Sequence, residues 1–89
     1  MYYVYIIKKK DDEKFYIGFT ENMERRLREH NTKGGAKYTK DGEWELVYAE
    51  MYVDKKDAII REKKLKHDGR SRFQLMKRLE NSIKKLSRS

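Results

Sequence analysis

No cysteine occurs among the 89 residues, which excludes disulfide frameworks and thiolate zinc sites and points to a reducing compartment. No long apolar run occurs either; the longest ends at Ile7 and is far too short to span a membrane. The first residues carry no signal-peptide pattern, so a soluble, cytoplasmic protein is expected. Low-complexity tracts, internal repeats and linkers are also missing. Apolar residues make up only 37% of the chain against 43% charged, a balance that by itself leans toward disorder. Seven tyrosines, three phenylalanines and one tryptophan oppose it, because they cluster in a few segments. A chain of this length has room for one core, so residues 1–89 are read as one folded domain with a heavily solvated surface.

The net charge of +8 is unevenly spread. Residues 1–50 hold ten Lys/Arg against ten Asp/Glu, whereas residues 51–89 hold thirteen against five. A basic half on a neutral half suits a polyanion, with nucleic acid the first candidate. A solubilising lysine face would leave the same composition.

Tyr2–Ile7 is aromatic and β-branched on both faces, as a covered central strand is. A charged turn over Lys8–Lys14 leads to a second strand, Phe15–Phe19, in which Gly18 signals a bend or a close approach of other atoms. Asn22 is placed to cap a helix reaching His30, with Met23, Arg26, Leu27 and His30 on one face. A basic glycine-bearing loop follows from Asn31. Residues 44–53 read as a third strand, with Trp44, Leu46 and Tyr48 sharing one face. Asp54 opens a helix over about 55–67 that Gly69 ends. A capping box from Ser71 to Gln74 begins a last, basic helix over 71–86, with Phe73, Met76, Leu79, Ile83 and Leu86 as its apolar stripe. The order ββαβαα predicts an α+β fold, a small three-stranded antiparallel sheet flanked by helices.

Three features carry chemistry. Glu62 falls inside the apolar stripe of Ala58, Ile59 and Leu65, where an unpaired carboxylate costs several kcal/mol, so a cation, a metal or water must accompany it. A glutamate at the stripe's edge that reaches solvent fits the same spacing. Arg26 and His30 are polar members of the first helix's stripe, open equally to a snorkelling arginine and a histidine bonded to backbone. Tyr3, Tyr5 and Tyr16 lie on paired strands, with Tyr3 and Tyr5 on one face. A neighbouring cation would make such a phenol a usable base.

Tyr3-Val4-Tyr5, Tyr16-Ile17-Gly18, Arg26, His30 and Glu62, in this order and spacing, resemble the GIY-YIG nuclease superfamily. Tyr-Val-Tyr-Ile-Ile, Tyr-Ile-Gly-Phe-Thr, Glu-Arg-Arg-Leu-Arg-Glu-His-Asn, Gly-Ala-Lys-Tyr-Thr and Trp-Glu-Leu-Val-Tyr are similar to its compact bacterial branch of excinuclease-subunit-like (UPF0213-like) proteins. The resemblance spans residues 2–68. Tyr3 stands where the motif has glycine, and Phe19 where some relatives carry lysine. The late asparagine of many members has only Gln74 and Asn81 as counterparts.

The resemblance implies a DNA endonuclease, in a repair setting, using one Mg²⁺ or Mn²⁺ ion. It assigns Tyr5 and Tyr16 to the two motif tyrosines, Arg26 to transition-state charge, His30 to orientation and Glu62 to the metal. Tyr5 is expected to be the general base, its pKa lowered by surrounding charge. Lys33, Lys37 and Lys40 in the glycine loop, with Lys63, Lys64, Lys66, Arg70 and Arg72, are expected to contact backbone phosphates without reading sequence. A non-catalytic nucleic-acid-binding module on the same fold is the rival reading. Substrate form, oligomeric state and any larger targeting partner are left open by the residues.

Overall fold

In the computed structural model, which describes residues 1–10, 12–31 and 43–87, strand β1 (Tyr2–Lys9) is the centre of a three-stranded antiparallel sheet. Strand β2 (Phe15–Thr20) flanks it on one side and β3 (Trp44–Tyr52) on the other. β1 continues two residues into the expected turn. Lys8 pairs with Phe15 and Glu45, and its ammonium, 2% exposed as a residue, donates to the Lys9 carbonyl at 3.0 Å. Partners on both sides thus hold two lysines in the ladder that their charge alone would place in a turn.

The two sheet faces carry separate cores. On one, Val4 and Ile6 meet Ala58 and Leu65 of helix α2 (Lys55–His67), Leu75 of α3 (Gly69–Arg78) and Leu79. Helix α4 (Glu80–Ser87) closes this side through Ile83. On the other, Tyr5, Ile7 and Trp44 pack with Tyr16 and with Met23 and Leu27 of helix α1 (Met23–His30). The α+β architecture is therefore as expected, with one more helix.

Five local expectations are corrected. Ile6 pairs with Tyr48 but Ile7 with Leu46, so Val47 is an extra residue in a β-bulge. The bulge turns Tyr48 toward the helices α2–α4 while Trp44 stays with Tyr5, which separates residues that strict alternation puts together. Gly69 does not end α2. Asp68 closes it and also caps α3, its carboxylate accepting from the Arg70 amide at 3.1 Å and the Ser71 hydroxyl at 2.9 Å. Ser71 is thus already helical, and the expected capping box is absent. The last helix is two helices, broken at Leu79, whose amide still reaches the carbonyls of Leu75 and Met76 and whose side chain is buried in the core. Phe73 is 67% exposed, because Leu75 takes the core position on α3. The caps at Asn22 and Asp54 are as read, accepting from the Arg25 amide at 2.9 Å and the Lys56 amide at 2.8 Å.

A polar knot ties β3 to α2. The Glu50 carboxylate accepts from the Tyr48 and Tyr52 hydroxyls, each at 2.5 Å, and from Arg61 at 2.7 Å. Burial works against the Glu50 charge, but these donors hold its pKa below the usual carboxylate value. Among the described residues, no helix is long and apolar enough to cross a membrane.

Candidate active site

Tyr5 and Gly18 face each other across the β1–β2 ladder. A Cβ at position 18 would lie 2.3 Å from the Tyr5 hydroxyl oxygen and 2.4 Å from its Cζ, so only glycine leaves room for the phenol. The close approach read from Gly18 is an approach by Tyr5. Helix α1 lies over this spot, and its stripe delivers Arg26 and His30 to the same hydroxyl. Arg26 Nε donates to the Tyr5 oxygen at 3.3 Å, and Tyr5 lies 2.7 Å from His30 Nε2.

Burial and charge set the proton positions. His30, 1% exposed, has its pKa pushed down to about 4, first by burial and then by the nearby Arg26 charge, with Glu29 opposing. The imidazole is neutral and shares a hydrogen bond with the Tyr5 hydroxyl through Nε2, while the Tyr5 oxygen accepts from Arg26. Tyr5 is fully buried and its pKa is pushed up to about 12. Burial is the main cause, aided by Tyr16 and Glu62 and opposed by Arg26. The expected lowering of the Tyr5 pKa is overturned, because desolvation outweighs the single cation beside it. Arg26 is itself held protonated more firmly than a free arginine. Burial works against it, yet hydrogen bonds with Tyr5, Glu29 and Tyr16 prevail.

Tyr16, on the edge strand, completes the cluster. Its ring centroid is 6.3 Å from that of Tyr5 and 5.0 Å from that of His30. From α2, Lys66 Nζ sits 5.6 Å from the Tyr16 centroid and 3.3 Å from Glu62 Oε2. The Glu62 side chain is 20% exposed and its charge reaches Tyr5. The structure therefore brings Tyr5, Tyr16, Arg26, His30 and Glu62 to one place. Among the described residues, no group of three or more His, Cys, Asp or Glu could hold a metal ion. The donor set is one half-buried carboxylate, which fits a hard cation that keeps most of its waters.

The basic residues divide. Lys63 and Arg70 are exposed on the helical face. Lys64 pairs with Asp68 at 3.0 Å, and Arg72 Nη1 donates to the Leu65 and Lys66 carbonyls at 3.0 Å each, closing the end of α2. Lys33, Lys37 and Lys40 lie outside the described residues. Two supporting residues escaped the sequence reading. Glu29 grips Arg26 Nη1 at 3.1 Å, a partner that its i+3 spacing announces. Asn31 Oδ1 accepts from the Trp44 amide at 2.6 Å and its Nδ2 donates to the Trp44 carbonyl at 3.1 Å, a long-range pairing with no sequence signal.

Residues 1–77 match the family described as the GIY-YIG catalytic domain. UPF0213 protein CPE1444 of Clostridium perfringens is 49% identical over 63 residues, covering 70% of this chain and 67% of that protein. UPF0213 protein OB0043 of Oceanobacillus iheyensis is 38% identical over 80 residues, 89% of this chain and 90% of its own. The solution NMR structure of UPF0213 protein BH0048 from Bacillus halodurans superposes with a TM-score of 0.55 at 35% identity, over 86% of this chain and 84% of that one. With the motif residues gathered at one site and the match running through both motif strands, helix α1 and Glu62, the chain belongs to the GIY-YIG nuclease family, in its UPF0213 branch.

Proposed function

We propose that this chain is an endonuclease that hydrolyses DNA phosphodiester bonds with one divalent ion, Mg²⁺ or Mn²⁺, held by Glu62. The observation that carries the reading is the convergence of a guanidinium, two phenols, a neutral imidazole and a single carboxylate beside strand β2. When bound, such an ion supplies Lewis-acid charge at the phosphate and its departing 3′ oxygen. Arg26 presents a planar cation to the non-bridging oxygens, with Tyr5 and Glu29 fixing its orientation. Lys63, Lys66 and Arg70 hold neighbouring phosphates.

In this reading the two phenols are given different parts from those the resemblance implies. Tyr5 is enclosed and burial pushes its pKa up to about 12, so it keeps its proton and is a positioning residue for Arg26 and His30. Tyr16 is half-buried, borders an open groove and lies against Arg26, His30 and Lys66. It is the phenol that an attacking water can reach, and it takes that water's proton.

The test is cleavage of labelled duplex, single-stranded and branched DNA with Mg²⁺, Mn²⁺ or EDTA. Cleavage is expected with metal and not with EDTA, and Glu62→Gln should lose it while staying folded. Arg26→Ala should lose on the order of 10²-fold or more, whereas Arg25→Ala, an exposed cation, should lose little. Tyr16→Phe should lose most of the cleavage rate, and Tyr5→Phe, which loosens Arg26 and His30, should lower it by less. Normal turnover by Glu62→Gln would end the metal assignment.

A further inference from the structure

A groove of about 650 Å³ opens beside the site, between edge strand β2 and the corner where α2 passes into α3. Phe15, Ile17, Phe73 and Met76 give it apolar walls, and Lys66 and Arg72 set cations along it. Tyr16 is among its lining residues, so the groove borders the candidate active site. Lys66 belongs to both, touching Glu62 and the Tyr16 ring while lining the groove. Phe73 also lines a second groove of about 650 Å³ toward α4, bordered by Ile83, Lys77 and Lys84. Its ring contributes nothing to the core that Leu75 fills, and it stands 67% exposed between two apolar-walled grooves, of which the one shared with Tyr16 carries only basic charge and the other balances Lys77 and Lys84 with Glu13 and Glu80.

We infer that the Phe73 groove takes an unpaired nucleobase next to the scissile phosphate, so that the substrate is a single-stranded or locally unpaired strand. The inference rests on the nucleic-acid reading of the site given above and names its substrate class. An apolar slot with an exposed aromatic suits a π-face, and the flanking cations suit the phosphate attached to it. A base in an intact duplex is stacked on both sides and cannot enter; a base that does enter must be unpaired or turned out of the helix. Continuity with Tyr16 and Lys66 places that nucleotide beside the bond to be cut. The charge of the channel suits a nucleotide better than the apolar face of a second protein.

The experiment is equilibrium binding by fluorescence anisotropy, in EDTA so that no strand is cut, using the whole chain with a single-stranded oligonucleotide and the matching duplex. Phe73→Ala should weaken single-strand binding on the order of 10-fold and leave duplex binding unchanged. Phe73→Trp should restore it. Because Phe73 is exposed, thermal unfolding of Phe73→Ala should match the parent. Scanning an abasic site along the strand should find one position that reproduces the loss and adds nothing to Phe73→Ala. Equal losses on both nucleic acids, or no loss on either, overturn the inference. So does a Phe73→Ala chain that changes only its self-association in sedimentation, which would give the groove to a second copy. The binding readout needs no turnover: a chain that never cuts but shows this Phe73 dependence fails the endonuclease reading alone, and a cutting chain without it fails the groove alone.

Discussion

At Gly18 the substitution of one hydrogen by a methyl decides whether the site exists. The methyl of Gly18→Ala would fall 2.3 Å from the Tyr5 oxygen, and the phenol is fully buried with nowhere to retreat. The variant should lose about 1–3 kcal/mol of stability, as overpacked cores do, and most of its cleavage rate. Adding Tyr5→Phe should not rescue it, because ring carbon Cζ at 2.4 Å remains in the way. Urea denaturation and the cleavage assay read both effects. His30 supplies a pH dependence. Its folded pKa, about 4, lies below the ordinary 6.5, so the unfolded chain binds the extra proton first. Stability from His30 is therefore complete above pH 6.5 and is lost as pH falls toward 4, by about 3 kcal/mol at most. The melting temperature should decline through that window, and His30→Gln should flatten the decline. Loss of the Glu50 contribution begins lower, as pH falls into the ordinary carboxylate range where the unfolded chain takes up its proton, and continues below it. Arg26, His30 and Glu62 were legible because polar groups interrupted apolar stripes. The raised Tyr5 pKa was not, since desolvation belongs to the assembled packing and leaves no mark on a strand's own residues.

Among the elements, Asp68 does the work of two caps at the turn that carries Lys66 toward the site. Asp68→Ala removes the acceptor for the Arg70 amide and the Ser71 hydroxyl and should lower the stability of the chain. Denaturant titration checks this, with Asp68→Asn expected to recover most of the loss through the same amide geometry. The caps at Asn22 and Asp54 were readable because each precedes an apolar stripe directly. Asp68 was hidden by Gly69, which carries a stop signal that the preceding cap makes redundant. The break at Leu79 was hidden differently. Met76, Leu79 and Ile83 keep helical spacing across it, so the stripe continues where the axis does not. Alternation in β3 failed at Val47 because a bulge adds a residue without changing the composition around it.

For the molecule as a whole, charge asymmetry along the chain becomes asymmetry in space. Helices α2, α3 and α4 all lie on one sheet face, and they carry the basic half of the sequence. DNA affinity should therefore fall linearly on a log–log salt plot, by about 0.9 in slope for each phosphate neutralised on duplex. Truncating the last helices cannot test this, because Leu75 and Leu79 are core residues. Replacing Lys63 and Arg70 by glutamine, both exposed, should shallow the slope with the fold intact; an unchanged slope would mark them as solubilising charges only. Net charge was legible to the residue. Its gathering on one face needed the topology, since helix α1 crosses the opposite side with three arginines against two glutamates.

The grip of Asn31 on both backbone groups of Trp44 has a consequence for how such a chain can be modified. It joins the residue after His30 to the first residue of β3, so the ends of the segment 32–42 are fastened independently of what lies between them. Closing a longer segment across fixed ends costs only about 0.6 kcal/mol for each doubling of its length. The position thus acts as a port in the scaffold, where a segment can be exchanged or extended next to the Tyr5–Arg26–His30 cluster while β1, β2 and α1 keep their places.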